Sequence, residues 1–258
     1  MADVFDPTAV LSAFPRLLGR IHVTLLIVLS GALSGTILGA GLAFIRLGRL
    51  RILDQAATVY ISFMRGTPVI VQLFLVYYGL PVIVVGLGVD INRWDRLLFV
   101  LATYGLHMAA FNAEIFRAAI QAIPRGQSEA AYCVGMSRWQ AFRRIVAPQA
   151  VAIALPNLSL AVAGLLQDTS LAFSIGVVDV MGEARAIGGN SQRMLEAMTG
   201  AAIILTALSL LLEQVANGLE RRLFSRTRQG WSHRGDRERT RGREEARTAS
   251  DGGKNVAP

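Results

Sequence analysis

Ser128-Glu129-Ala130-Ala131-Tyr132-Cys133-Val134-Gly135-Met136-Ser137-Arg138-Trp139-Gln140-Ala141-Phe142-Arg143-Arg144-Ile145-Val146-Ala147-Pro148 is a polar, cationic island between long apolar runs. Its order of residue types predicts structure. Ser128 is placed to cap a first short helix, and Glu129 beside that end suits the helix dipole. Gly135 is placed to end it, since glycine enters the left-handed region without a Cβ penalty. Ser137 can then cap a second helix, which Pro148 limits. Trp139, Phe142 and Val146 fall at i, i+3 and i+7 on one face, while Arg138, Arg143 and Arg144 carry charge. A helix–turn–helix held between apolar runs is too well built for an idle linker and reads as a docking element for another protein.

The surrounding composition says where this element sits. Of the 258 residues 53% are apolar, and the mean hydropathy is +0.45. That is too apolar for an ordinary soluble domain and suits one polytopic membrane domain with short loops. The net charge of +8 would suggest nucleic acid if it covered a folded face. Instead, 11 of the 26 basic residues lie beyond Leu219, in a stretch with almost no apolar residue after Trp231. Nucleic-acid binding is not expected of it. Cys133 is the sole cysteine, so an intrachain disulfide and a thiolate zinc site are both excluded. Asp3 and Asp6 stand where a signal peptide would have a basic region, and the apolar run after Arg20 is too long for a cleaved leader. It is expected to remain as a span.

Residues 1–20 are mildly amphipathic and are expected to form an N-terminal extracytoplasmic, interfacial segment. Residues 21–223 form the membrane domain, with the docking loop at 124–148, and residues 224–258 are expected to be a disordered basic tail. Ile21 to Ile45 has no charge and is long enough to cross a bilayer. Gly31, Gly35, Gly39 and Ala43 recur at every fourth position along it, which permits close approach of another helix. A half-apolar segment, Ile52 to Met64, leads to a second span over Val69 to Val89. There Thr67 is a plausible N-cap, Pro68 fits the first helical position, and Gly79-Leu80-Pro81 predicts a kink. Leu97 to Phe116 is the third span and Ala150 to Ser174 the fourth. Ile175 to Arg193 reads as a Gly-rich excursion, and Met194 to Asn217 is the fifth span.

Lys and Arg number 2 before the first span, then 4, 2, 5 and 2 in the loops, and 11 after the last. Alternation collects 20 of them on one side and 6 on the other. By the positive-inside rule the N-terminus lies outside, and the docking loop and C-terminus face the cytosol. No internal repeat of the inverted-symmetry kind is visible.

Residues 128–148 resemble the EAA loop of bacterial ABC-importer permeases. That loop reads Glu-Ala-Ala, three residues, Gly, nine residues, then Ile-x-Leu-Pro. Here these are Glu129-Ala130-Ala131, Gly135 and Ile145-Val146-Ala147-Pro148, with Ala147 in place of the usual Leu. Phe63-Met64-Arg65-Gly66-Thr67-Pro68 and Tyr77-Tyr78-Gly79-Leu80-Pro81 look like the second span of polar amino-acid permeases. Ala113-Glu114-Ile115-Phe116-Arg117 resembles the end of the third. Gln167-Asp168-Thr169-Ser170-Leu171 is similar to a Lys-Asp-Thr-Ser-Leu segment of the fourth, with Gln167 in place of Lys. The resemblance covers roughly residues 15 to 224 and points to the histidine/glutamine/arginine-type branch. It implies an all-α, five-span type I (MetI-like) permease of the cytoplasmic membrane. In such a protein Glu129, Ala130, Ala131, Gly135, Arg138, Trp139 and Phe142 would meet an ATPase subunit.

The expected partners are an ABC ATPase dimer, a second permease chain, identical or homologous, an extracytoplasmic solute-binding protein and membrane lipid. No phosphate-binding Gly-x-x-x-x-Gly-Lys-Ser/Thr stretch occurs, so no cofactor is expected in this chain; ATP and Mg would belong to the partner. No enzyme activity is expected either. A scaffold or sensor that uses the same loop to hold a cytosolic partner is the alternative.

Asp168 is the sharpest candidate along a substrate pathway, because an ionisable residue inside a span is costly in lipid. Thr169 and Ser170 add hydroxyls beside it. Two roles stand open for Asp168: contact with a substrate ammonium or the partner permease, and capping of a break in the fourth helix. Arg65 and Thr67, at the start of a helix whose free N–H groups suit a carboxylate, form a second candidate with Gln72. Arg65 snorkelling to headgroups is the other account of it. Glu114 and Arg117, at i and i+3, predict a local ion pair, and His107 a packed interhelical histidine.

Overall fold

The computed structural model describes residues 5–48, 50–86, 88, 90–218 and 221, and every regular element among them is helical. Helix α1 (Pro7–Leu18) opens on Asp6, whose carboxylate accepts the Thr8 N–H at 2.9 Å. Helix α2 (Ile21–Leu47) is followed by α3 (Arg51–Gly66) and α4 (Val69–Val85). Helix α5 (Arg96–Gln121) starts on an Asp95 cap. Then come α6 (Arg125–Cys133), α7 (Arg138–Ile175), α8 (Val180–Ser191) and α9 (Met194–Gly218). The described helices through Ala216 form one compact unit. The expected tail, 224–258, lies outside the described residues.

Helices α2, α5, α7 and α9 are long and apolar enough to cross a bilayer, and α3 with α4 makes a fifth crossing as one broken span. An all-helical fold of five spans is therefore present, with a correction at the second. It is no single helix: α3 and α4 meet at 113°. Proline accounts for this, because Pro68 pushes the preceding residue out of the helical region, and Thr67 sits at φ −114°, ψ 142°. Thr67 consequently ends α3 and does not cap α4, where Pro68 holds the capping position.

At two other prolines the helix continues. Just before Pro81 and Pro148 the helix widens by one residue, so that Leu80 N–H donates to Leu75 O and Ala147 N–H to Phe142 O. This wider π-turn relieves the clash of the proline ring with the carbonyl four residues back. Pro148 therefore does not limit the second helix of the docking element. That helix runs without a break into the fourth span and on to Ile175.

The glycine stripe of α2 does what its spacing predicts. Gly31, Gly35 and Gly39 are held against Tyr104, Met108 and Asn112 of α5, and a Cβ on Gly35 would fall 2.3 Å from Met108 Cβ. In lipid, apolar side chains gain little by leaving one apolar surface for another, so this close backbone approach is what joins the two helices. Ile27, Leu73, Tyr104, Met108 and Leu165 fill the centre of the bundle. A second core joins α1 to α8 and α9 through Ala13, Leu17, Val180, Ala184, Ala197 and Ala201. The expected excursion 175–193 is thus largely folded: it holds α8, packed against the amphipathic α1. A third cluster, Ala119, Ile123, Val146, Ala150 and Ala154, seats the docking element on the end of α5.

Candidate functional site

The docking element begins four residues before the Glu-Ala-Ala run. Pro124 occupies the capping position of α6, so Ser128 lies inside the helix and does not cap it. The fixed φ of proline and its carbonyl, which accepts the Gln127 N–H at 3.0 Å, set this start. The far end follows the sequence expectation. Gly135 sits at φ +80°, its N–H donates to Tyr132 O at 3.0 Å, and Met136 N–H donates to Ala131 O at 3.1 Å. These two bonds make a Schellman stop. Ser137 then caps α7 in a full capping box: Gln140 N–H donates to Ser137 Oγ at 3.3 Å, and Ser137 N–H to Gln140 Oε1 at 2.9 Å.

The side chains sort by depth. Ala131 is buried under α6, whereas Glu129, Ala130, Gly135 and Arg138 are exposed. Trp139 is 64% exposed, a large cost in water for an indole without a partner. It stacks at 5.9 Å on Phe142, which packs edge-on at 5.3 Å against Phe44 of α2. A groove of about 540 Å³ runs beside α6, lined by Gln121, Arg125, Ser128, Glu129, Tyr132 and Val146 among others. The arrangement is a rigid, capped knob with an aromatic tip, rooted in two membrane helices.

The pathway candidates fall in two places. Asp168 is the last residue of the α-helical part of α7, just before the chain tightens to a 3₁₀ turn over Thr169–Ile175. Its carboxylate makes no capping bond, so the capping role left open by the sequence does not apply. Its main-chain carbonyl accepts the Tyr104 hydroxyl. Thr169 is fully buried and Ser170 donates to Gln167 O at 2.9 Å. At the other place, the α3–α4 corner, Gln72 is 2% exposed and saturated. Its Nε2 donates to Met64 O at 2.7 Å, to Thr67 O at 3.0 Å and to Thr67 Oγ1 at 2.9 Å. Its Oε1 lies 2.9 Å from His107 Nδ1. Gln72 therefore serves to hold the broken span together, with His107 as the interhelical partner. Arg65 is exposed and lies 5.4 Å over the Phe111 ring. The two candidate sets are not in hydrogen-bond contact with each other among the described residues.

Glu114 pairs with Arg117 at 2.7 Å, as its spacing predicts, and also with Arg46 at the end of α2. Sequence reasoning missed an acidic group around α8. Asp179 is fully buried and caps α8, accepting the Gly182 N–H at 2.8 Å. Burial pushes its carboxyl above the usual range, opposed by hydrogen bonds from Gly182 and Thr169. Glu183, one turn on, is gripped by Arg16 at 2.7 Å and Arg20 at 3.1 Å from α1. Asp6 pairs with Arg193, and the Thr8 hydroxyl together with Arg193 holds its carboxyl down at about 2. A signal existed: an Asp followed by Glu four residues later, ahead of an Ala-rich run, is a helix start.

Residues 13–225 match the family described as binding-protein-dependent transport system inner membrane component. The chain is 42% identical over 223 residues to the L-cystine transport system permease protein TcyL of Bacillus subtilis, covering 86% of this chain and 93% of that one. It is 40% identical over 219 residues to the probable amino-acid ABC transporter permease protein PatM of Vibrio harveyi, covering 85% and 96%. Among solved structures, an amino acid ABC transporter with histidines aligns with a TM-score of 0.75 at 28% identity, over 85% of this chain and all of that one. The MetNI methionine transporter, at 19% identity and a TM-score of 0.61, shares the fold.

Proposed function

This chain belongs to the family of inner-membrane components of binding-protein-dependent transport systems, and from that premise we propose that it is the permease subunit of an ABC importer for a polar amino acid. The observation that carries the proposal is the docking element: an exposed, doubly capped knob whose second helix continues as the fourth span. Such a piece can receive force from outside the membrane and deliver it inside. In this proposal an ATPase dimer grips the surface of Glu129, Ala130, Gly135, Arg138 and Trp139, with Ala131 and Phe142 fixing its shape from beneath. The ATPase holds the ATP and Mg; this chain holds no cofactor and catalyses no reaction. The docking element and C-terminus face the cytosol, and the N-terminus faces outward; the distribution of basic residues supports this orientation.

Two permease chains, identical or homologous, enclose the pathway, because one five-span bundle encloses little. Closure of the ATPase dimer moves the knobs, and rigid rocking of the spans exchanges inward for outward access. An extracytoplasmic solute-binding protein delivers the amino acid. The Asp168 carboxylate, with no hydrogen-bonding partner of its own among the described residues, is available for the substrate ammonium, and Ser170 lies beside it. Arg65 at the α3–α4 corner is available for a carboxylate. Relatives named for L-cystine transport and for amino-acid transport support this substrate class.

Reconstitution tests it. The permease, its neighbouring ATPase and the binding protein are assembled in proteoliposomes, and uptake of labelled cystine, arginine, glutamine and histidine is followed with and without ATP. ATP-dependent uptake of at least one is expected, with loss of ATPase binding in Trp139→Ala. Retained ATPase binding by Trp139→Ala, or labelling of Cys133 in intact cells only from outside, would overturn the proposed docking.

A further inference from the structure

Helix α1, the end of α8 and the start of α9 enclose a pocket of about 530 Å³ that the transport reading so far leaves unused. Thr8 and Ser12 of α1 line it, with Ser191 in the last turn of α8, Arg193 in the link to α9 and Glu196 in the first turn of α9. Glu196 is only 7% exposed. Its Oε1 accepts the Asp6 N–H at 3.3 Å, while its Oε2 has no hydrogen-bonding partner among the described residues. That second oxygen is not sealed from solvent, so it is open to the pocket.

Three hydroxyls share the lining, and each has given its proton to an atom that can only accept. Ser12 donates to Ala9 O at 2.9 Å and Ser191 to Ile187 O at 2.8 Å. Thr8 donates to Asp6 Oδ1 at 2.6 Å, and Asp6, held at about 2, is an anion. A hydroxyl whose proton is spent has only lone pairs left to offer. One guanidinium reaches the pocket, that of Arg193, and it pairs with Asp6. Two acids and one base leave the site with one negative charge in excess. Acceptors beside an uncompensated carboxylate oxygen select a cation that brings its own hydrogens, and an ammonium brings three. A free amino acid would carry its carboxylate in as well, where the guanidinium is already taken. A guanidinium ligand is matched to both oxygens of a carboxylate, and Oε1 is occupied by Asp6 N–H. A lysine side chain brings the ammonium alone, as a compact charge on a flexible four-carbon stem.

We propose that this pocket seats a lysine side chain of the solute-binding protein, with Glu196 Oε2 receiving its ammonium. This rests on the importer reading, which supplies the partner and puts the N-terminal helix on the outer side where that partner arrives. The ion pairs of α1 with α8 and the link to α9 then have a use: they hold the walls of the seat in place. Glutamine at position 196 separates charge from shape, since its Oε1 still accepts the Asp6 N–H while its amide has no charge to offer.

The test uses the assembled transporter in nanodiscs and the solute-binding protein encoded beside it, with binding measured in the absence of ATP. Glu196→Gln is expected to weaken the binding protein's affinity about tenfold, the effect of one charge-assisted hydrogen bond, while ATP hydrolysis without the binding protein changes less than about twofold. Acetylation of the binding protein's lysines should cost the original transporter about the same factor and cost Glu196→Gln almost nothing more. Carbodiimide treatment joins a carboxylate to an amine as an amide, the lost water converting the reagent to a urea. It should link Glu196 to a lysine of the binding protein, as read by mass spectrometry of the joined peptides. Equal affinity for the original and Glu196→Gln, or losses from acetylation and substitution that multiply, would overturn the proposal. So would binding of labelled free lysine to the transporter alone that Glu196→Gln abolishes, which would make the pocket a small-molecule site. The cross-link needs no substitution, so its absence would overturn the proposal even if Glu196→Gln failed to fold. Absence of any ATP-driven uptake by the unsubstituted transporter would count against the importer reading instead, and the affinity comparison would still decide the pocket.

Discussion

Replacing Gly35 by alanine should separate two helices that the fold keeps in backbone contact. The new Cβ would stand 2.3 Å from Met108 Cβ, about 1.1 Å inside the 3.4 Å at which ordinary contact begins. Two further neighbours, Met108 C at 3.0 Å and Ala109 N at 3.2 Å, are main chain and cannot swing aside. Overpacking of this kind costs about 1–3 kcal/mol. Alanine returns at most about 1 kcal/mol of helix propensity over glycine. The net loss is up to about 2 kcal/mol, or a fall in Tm of up to about 6 °C for a domain of this size. Gly41 on the same helix is the internal control, because its Cβ would meet nothing within 4 Å. Gly41→Ala should leave Tm unchanged or raise it by about 2–4 °C. Gly31→Ala should fall between, since its nearest obstacle at 2.9 Å is the flexible end of Leu165. Scanning fluorimetry of the detergent-purified proteins reads all three. A Gly35→Ala protein as stable as Gly41→Ala would refute the claim that close backbone approach joins α2 to α5.

Gly135→Val places a β-branched residue at φ +80° with open space around it, so a backbone cost of about 1–2 kcal/mol falls on the stop of α6 alone. The protein should still reach the membrane while uptake falls; membrane fractionation with transport assays checks both. Glu183→Gln should loosen α1 from α8, since Arg16 and Arg20 lose their shared anion, and protease cleavage within α1 should quicken in the purified protein. Asp6, held at about 2 by Thr8 and Arg193, stabilises the fold above the ordinary aspartate value of 3.8. That contribution is lost as pH falls through about 2, so Asp6→Asn should flatten the acid limb of an unfolding curve taken between those values.

What the sequence made legible was local and patterned. The stripe Gly31-Gly35-Gly39 announced a helix contact because its four-residue period lines up on one face. Gly135 and Ser137 announced a stop and a start because their backbone and side-chain chemistry acts within a few residues. Misreadings came where one residue has two local outcomes. A proline can end a helix, as Pro68 does, or be absorbed by a π-turn, as Pro148 is, and its own neighbours do not decide which. Ser128 lost its capping role to Pro124, four residues earlier in the same polar stretch. The partners of Asp179 and Glu183 were not legible because they come from α7 and α1, more than 150 residues away in the case of Arg16. Gln72 illustrates the same limit: only the folded corner shows that its amide has no bond left to offer.

The absorption of Pro148 has a mechanical consequence. The 38 residues from Arg138 to Ile175 make a rod on the order of 55 Å long, nearly twice the roughly 30 Å thickness of the hydrocarbon layer. Trp139 is at one end of it and Asp168 close to the other. Pivoted at the water end, a tilt of roughly 5° sweeps the far tip through about 5 Å, one turn of helix. Distance from the pivot therefore enlarges the displacement, and the proline that would have cut the beam is what the π-turn was widened to admit.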